Sequence, residues 1–123
     1  MTVAMLLLGG AIGAPMRYLT DLFVQSRHDS VFPWGTFTVN VLGSLILGVT
    51  AAAVIALAPP TWVLALVGTG FCGALTTFST FGFETIRLLE EGSVLTAVAN
   101  CAASLVIGLG ACAGGFAAVA ALL

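Results

Sequence analysis

Gly68-Thr69-Gly70-Phe71-Cys72-Gly73-Ala74-Leu75-Thr76-Thr77-Phe78-Ser79-Thr80-Phe81-Gly82-Phe83 lies midway through an apolar segment and is dense in residues that disfavour helix. Glycine adds backbone freedom, threonine and serine hydroxyls compete for backbone hydrogen bonds, and β-branched side chains crowd the preceding turn. The stretch therefore predicts a helix that breaks or unwinds in mid-course. Unpaired backbone groups in hydrocarbon cost several kcal/mol each, so non-helical backbone at membrane depth persists only where it is buried in protein or lines a polar cavity or an ion site.

That the depth is a membrane's follows from composition. Of 123 residues, 60% are hydrophobic and 7% charged, against a charged fraction of about a quarter in soluble domains. An integral membrane protein is expected. A crossing takes about 20 apolar residues, so one small domain, 1–123, holds about four helices joined by minimal loops. They read as 3–25, 34–57, 61–88 and 93–122, an all-α membrane fold with a broken third helix. The formal net charge of −2 comes from residues near helix ends and argues for no nucleic-acid partner. Cys72, Cys101 and Cys112 lie in apolar segments without CxxC or Cys/His spacing, and are expected as buried small hydrophobes rather than a disulfide or metal set. The N-terminal run lacks a basic leader region and outlasts a signal peptide, so it reads as a mature span.

The first span carries Gly9, Gly13, Arg17 and Asp21 four apart. Small residues at that spacing admit a close neighbour, and Arg17 on the same stripe is expected to face the bundle interior or an aqueous vestibule. The alternative is snorkelling to the headgroups, helped by Asp21. Arg27-His28-Asp29-Ser30 is a polar loop, and Phe32-Pro33-Trp34 re-enters the membrane as an interfacial anchor. In the second span Thr36, Asn40, Ser44 and Gly48 share one stripe beside Gly43. The Asn40 amide must find a partner at that depth, either an interhelical hydrogen bond or an anion for which it is a donor. Pro59-Pro60-Thr61-Trp62 turns the chain, and Glu84 and Arg87 suit a solvated pair. After Gly92-Ser93, the fourth span sets Thr96, Asn100, Ser104, Gly108 and Cys112 at four-residue spacing, a second polar-and-small stripe able to face the first. Short loops make successive helices antiparallel neighbours, with both termini on one side. Arg and Lys are too few to set orientation strongly, which leaves insertion in both directions open.

There is no Ser/His/Asp set, phosphate loop or carboxylate pair, so no enzyme is expected. Instead Phe78 and Phe81 stand three apart just past the break. Aromatic rings have positive edges that can stabilise a small anion without a fixed charge to trap it, although membrane phenylalanines commonly only pack. Half-helix N-termini favour anions, and unwound carbonyls favour a cation such as Na⁺.

The chain resembles the Fluc-type fluoride channels, the CrcB family, along its whole length: Gly9-Gly10-Ala11-Ile12-Gly13-Ala14-Pro15-Met16-Arg17-Tyr18, Gly35-Thr36-Phe37-Thr38-Val39-Asn40-Val41-Leu42-Gly43, and above all Gly70-Phe71-Cys72-Gly73-Ala74-Leu75-Thr76-Thr77-Phe78-Ser79-Thr80-Phe81. The resemblance implies a passive fluoride exporter in the plasma (inner) membrane, built as an antiparallel, dual-topology homodimer with two pores and one structural Na⁺. It further implies that Phe78 and Phe81 line the pores, that Asn40 contacts the permeating ion, that Arg17 is a vestibule arginine, and that carbonyls of Gly73 and Thr76 hold the Na⁺. Thr77, Ser79 and Thr80 at the break and Ser104 on the fourth-span stripe join the pore candidates as hydroxyl donors, although relatives carry other residues at the place of Ser104. An inverted dimer has a physical motive too. The chain contains no internal repeat, so an inverted partner must be a second copy, which would bring the two breaks together. Two other classes stand against this reading. A small multidrug-type proton-coupled exporter needs a titratable carboxylate deep in the first helix, where this chain has Arg17 and the near-terminal Asp21. A non-transporting structural subunit leaves the break without a purpose.

Overall fold

The structure is a computed structural model that describes residues 2–29 and 31–123, so Ser30 of the polar loop lies outside the described residues. Among these residues four helical spans are long and apolar enough to cross a membrane: Thr2–Arg27, Trp34–Leu57, Thr61–Glu90 and Val94–Leu122. We label the first two α1 and α2. The third span is in two pieces, α3 (residues 61–75) and α4 (Ser79–Glu90), and Val94–Leu122 is α5. The second span matches its expected limits, and the others differ by one or two residues at an end. Most contacts between elements lie between α2 and α5 and between α1 and α3. The polar-and-small stripes of α2 and α5 do meet: a Cβ on Gly48 would run into the Cys112 carbonyl oxygen, and one on Gly115 would come within 2.8 Å of the Leu45 carbonyl oxygen.

The third span departs from regular α-helix earlier, and in a different way, than its sequence indicates. Leu64–Cys72 winds as a π-helix, and the Gly73 N–H reaches back five residues to the Gly68 carbonyl. True loss of helix is confined to residues 76–78. The wide turn coincides with a close approach of α1 to α3. A Cβ on Gly9 would overlap the Leu66 carbonyl oxygen, one on Gly13 would lie 2.5 Å from the Phe71 carbonyl oxygen, and one on Gly70 would lie 2.5 Å from the Leu6 carbonyl oxygen. Backbone therefore meets backbone along α1 and α3, as small-residue stripes permit.

At the ends, the His28 Nδ1–H donates to the Val24 carbonyl at 2.8 Å. The His28 ring stacks on Trp34 at 5.3 Å, and Phe32 and Phe37 complete the aromatic cluster. After α4 the chain reverses at Gly92, whose φ of 83° is in the left-handed region, while the Ser93 N–H donates to the Leu88 carbonyl at 2.8 Å. Two expected pairings are replaced. Arg87 pairs with Glu91 at 2.9 Å rather than with Glu84, because i,i+4 neighbours meet on the solvated face. Glu84 has no such pairing, and its buried Oε1 has no hydrogen-bond partner among the described residues. Asp21 does not reach Arg17, and its carboxylate rests on Gly35 in the first turn of α2, where the helix dipole favours a negative charge. Of the cysteines only Cys72 is buried; Cys101 is exposed, and all three are free.

Candidate functional site

The break is held open by one side chain from the neighbouring helix. Asn40 of α2 donates its Nδ2 to the Thr77 carbonyl at 2.9 Å and accepts the Thr77 N–H on Oδ1 at 2.7 Å. A primary amide here does what an adjacent strand would do: it pairs both backbone groups of one residue. Thr76 is extended, with φ −81° and ψ 159°, and its hydroxyl donates back to the Cys72 carbonyl at 2.8 Å. The Thr77 hydroxyl accepts the Thr80 N–H at 3.2 Å and so caps α4.

These substitutions of partner free two specific carbonyls. In an uninterrupted helix the Thr77 N–H would bond the Gly73 oxygen and the Thr80 N–H the Thr76 oxygen. Both donors are spent elsewhere, on Asn40 and on the Thr77 hydroxyl. Gly73 is exposed, with open space where a side chain would stand.

An open cavity of about 720 Å³ runs along the break between α2, α3 and α5. Of the residues expected at the site, Asn40, Gly73, Thr76, Thr77, Phe78, Phe81 and Ser104 all line it. Ser79 and Thr80 do not; they stand exposed in the first turn of α4. Arg17 is half-buried on α1, also outside the cavity wall. The Phe78 and Phe81 rings are 6.1 Å apart and tilted by 44°, and Phe78 is 84% exposed. Ser44, Thr69 and the thiol residues Cys72 and Cys101 also face the cavity. Ser44 could have been found from its place one turn after Asn40, whereas nothing in the local sequence marks Thr69.

Beside the cavity runs a chain of hydrogen bonds that the sequence does not announce. Ser104 donates to Asn100 Oδ1 at 3.3 Å, Asn100 Nδ2 donates to Thr85 Oγ1 at 2.9 Å, and Thr85 donates to the Phe81 carbonyl at 2.8 Å. Asn100 is 1% exposed. Its only sequence signal is the four-residue step to Ser104, matched by the four-residue step from Phe81 to Thr85.

Chemically, the cavity offers hydroxyl and amide donors, ring edges and two carbonyls without their helical donors. Among the described residues no cluster of three or more His, Cys, Asp or Glu side chains could hold a metal. Residues 4–116 match the family model described as CrcB-like protein, Camphor Resistance (CrcB). The chain is 60% identical over 110 residues, 85% of each chain, to a protein of Frankia casuarinae named fluoride-specific ion channel FluC 1. It is 58% identical over 104 residues to a protein of the same name from Streptomyces avermitilis, covering 84% of this chain and 83% of the relative. A Thermobifida fusca protein, again of that name, is 45% identical over 119 residues, 97% of this chain and 96% of its own. With a model match over nearly its full length and relatives this similar, the chain belongs to the CrcB-like family, a family of ion channels and not of enzymes.

Proposed function

We propose that the chain is a passive fluoride-selective channel of the plasma (inner) membrane, exporting F⁻ to relieve its toxicity. The observation that carries this is the Asn40-held break, which puts donors and ring edges on one cavity wall in a chain whose relatives are named fluoride-specific ion channels. A small anion gives up its hydration only where closely fitted contacts replace it. Thr77 spends its oxygen on the Thr80 N–H and keeps its proton to donate, and Asn40 uses one of its two amide hydrogens on Thr77. Phe78 and Phe81 supply ring edges, and Ser104 a hydroxyl, farther along the same wall. Ser79 and Thr80, exposed at the start of α4, and Arg17 on α1 serve the approach, where Arg17 raises the local anion concentration.

The working unit is an antiparallel homodimer with two pores. Support comes from the open side of the cavity, where a second, inverted copy would meet the first break to break and cover the freed carbonyls. The carbonyls of Gly73 and Thr76 fit a structural Na⁺: they have lost their helical donors, they line the same cavity, and oxygen-only coordination suits a hard cation. Bound there, Na⁺ would neutralise four converging carbonyls, two from each copy, and raise the anion potential nearby. Liposomes loaded with fluoride and containing the pure protein test the reading. They should empty under a K⁺/valinomycin potential without any proton gradient. Efflux that requires a proton gradient returns the multidrug-type exporter, and no efflux returns the structural subunit.

A further inference from the structure

The hydrogen-bond chain from Ser104 to Phe81 has a fixed direction. The Thr85 hydroxyl has one proton and gives it to the Phe81 carbonyl at 2.8 Å. Towards Asn100 it is therefore only an acceptor, so the Asn100 amide must turn Nδ2 to Thr85 and Oδ1 to Ser104. With Asn100 1% exposed, no water replaces either partner. Ser104 lines the cavity, yet its one proton already has an acceptor behind the wall. At 3.3 Å that is the longest bond of the three.

We propose that Asn100 is a positioning residue that competes with the permeating anion for the Ser104 proton and thereby sets how tightly the pore holds fluoride. An anion beside Ser104 draws the hydroxyl away from Asn100 Oδ1 and leaves that oxygen buried without a donor, a penalty charged against every occupancy of the site. The penalty lowers affinity, which conduction needs, because an ion must leave as readily as it enters. A neutral carbonyl acceptor suits this role: a carboxylate would hold the proton more strongly, and an apolar residue would not hold it at all.

This inference rests on the fluoride-channel reading, and the two fail differently. Initial fluoride flux is measured against fluoride concentration in liposomes for the parent, Asn100→Leu, Ser104→Ala and the double variant. The half-saturating concentration in Asn100→Leu should fall by about fivefold, the factor of one modest hydrogen bond. In the Ser104→Ala background the same substitution should change it by less than about 1.5-fold, since its target is gone. A merely structural Asn100 would instead leave half-saturation unchanged at matched amounts of folded channel, or shift it equally in both backgrounds, and either result overturns the proposal. If Asn100→Leu does not assemble, Asn100→Ser, whose hydroxyl is too short to bridge Thr85 and Ser104, takes its place with the same expected and contrary results. A parent protein that carries no fluoride would refute the channel reading itself.

Discussion

Replacing Asn40 with leucine removes the pairing that keeps the third helix open while keeping the branched shape of the side chain. Two hydrogen bonds, of 2.9 and 2.7 Å, disappear. Each unsatisfied buried backbone group costs about 1–3 kcal/mol, so the open break loses about 2–6 kcal/mol. The chain can recover part of this by returning the Thr77 N–H to the Gly73 carbonyl, which heals the helix and withdraws that carbonyl from the cavity. With a net bias of about 3 kcal/mol, the open form falls on the order of a hundredfold relative to the healed one, since 1.4 kcal/mol is tenfold. Fluoride efflux from liposomes at matched protein content, with dimer yield checked by size exclusion, should fall by a comparable factor. An Asn40→Leu protein that conducts within about threefold of the parent would refute the claim that this amide holds the break.

Phe81→Ile keeps apolar bulk but removes the ring edge, so flux should drop strongly while the protein remains folded and dimeric, and Phe78→Ile should do the same; parent-like conduction in both means the rings only pack. Gly13→Val would drive its side chain into the Phe71 carbonyl oxygen, 2.5 Å from the Cβ position, and should cost at least about 2 kcal/mol, read as loss of folded protein in a thermal-aggregation assay. Gly110→Val has open space around its Cβ position and serves as the tolerated control. Exchanging Na⁺ for a large organic cation over long incubation should reduce flux or dimer stability, whereas a transmembrane Na⁺ gradient should not drive fluoride. Unchanged flux and dimer after prolonged depletion would remove the Na⁺ assignment.

The four spans were legible because hydrophobic length in a membrane leaves little choice, and the glycine pair of α1 because close approach tolerates only small residues; the α3 glycines that meet it were read only as helix breakers. The place of the break was legible to within a few residues from the Thr76-Thr77 pair and the serine and threonine after Phe78. Its stabilisation was not, because the sequence left the Asn40 amide poised between an interhelical partner and an anion. In the structure it pairs with Thr77 and also lines the cavity. The π-helix of Leu64–Cys72 was hidden too, since glycine-rich sequence signals weak helix without telling which winding replaces it. Surface charge was read least well. Arg87 chose Glu91 over Glu84, and Asp21 chose the start of α2 over Arg17, because spacing along one helix says nothing of what a neighbouring helix brings. Thr85 and Asn100 were brought together only by the packing of α4 on α5.

Selectivity is the central claim, and paired efflux measurements test it most directly. Identical liposomes containing the pure protein are loaded with either fluoride or chloride, and initial rates are read with ion-selective electrodes under the same K⁺/valinomycin potential. A pore of ring edges, hydroxyls and an amide around one narrow path should pass fluoride rapidly and leave chloride at the rate of protein-free liposomes. Chloride efflux as fast as fluoride efflux, or fluoride efflux no faster than in protein-free liposomes, would contradict it.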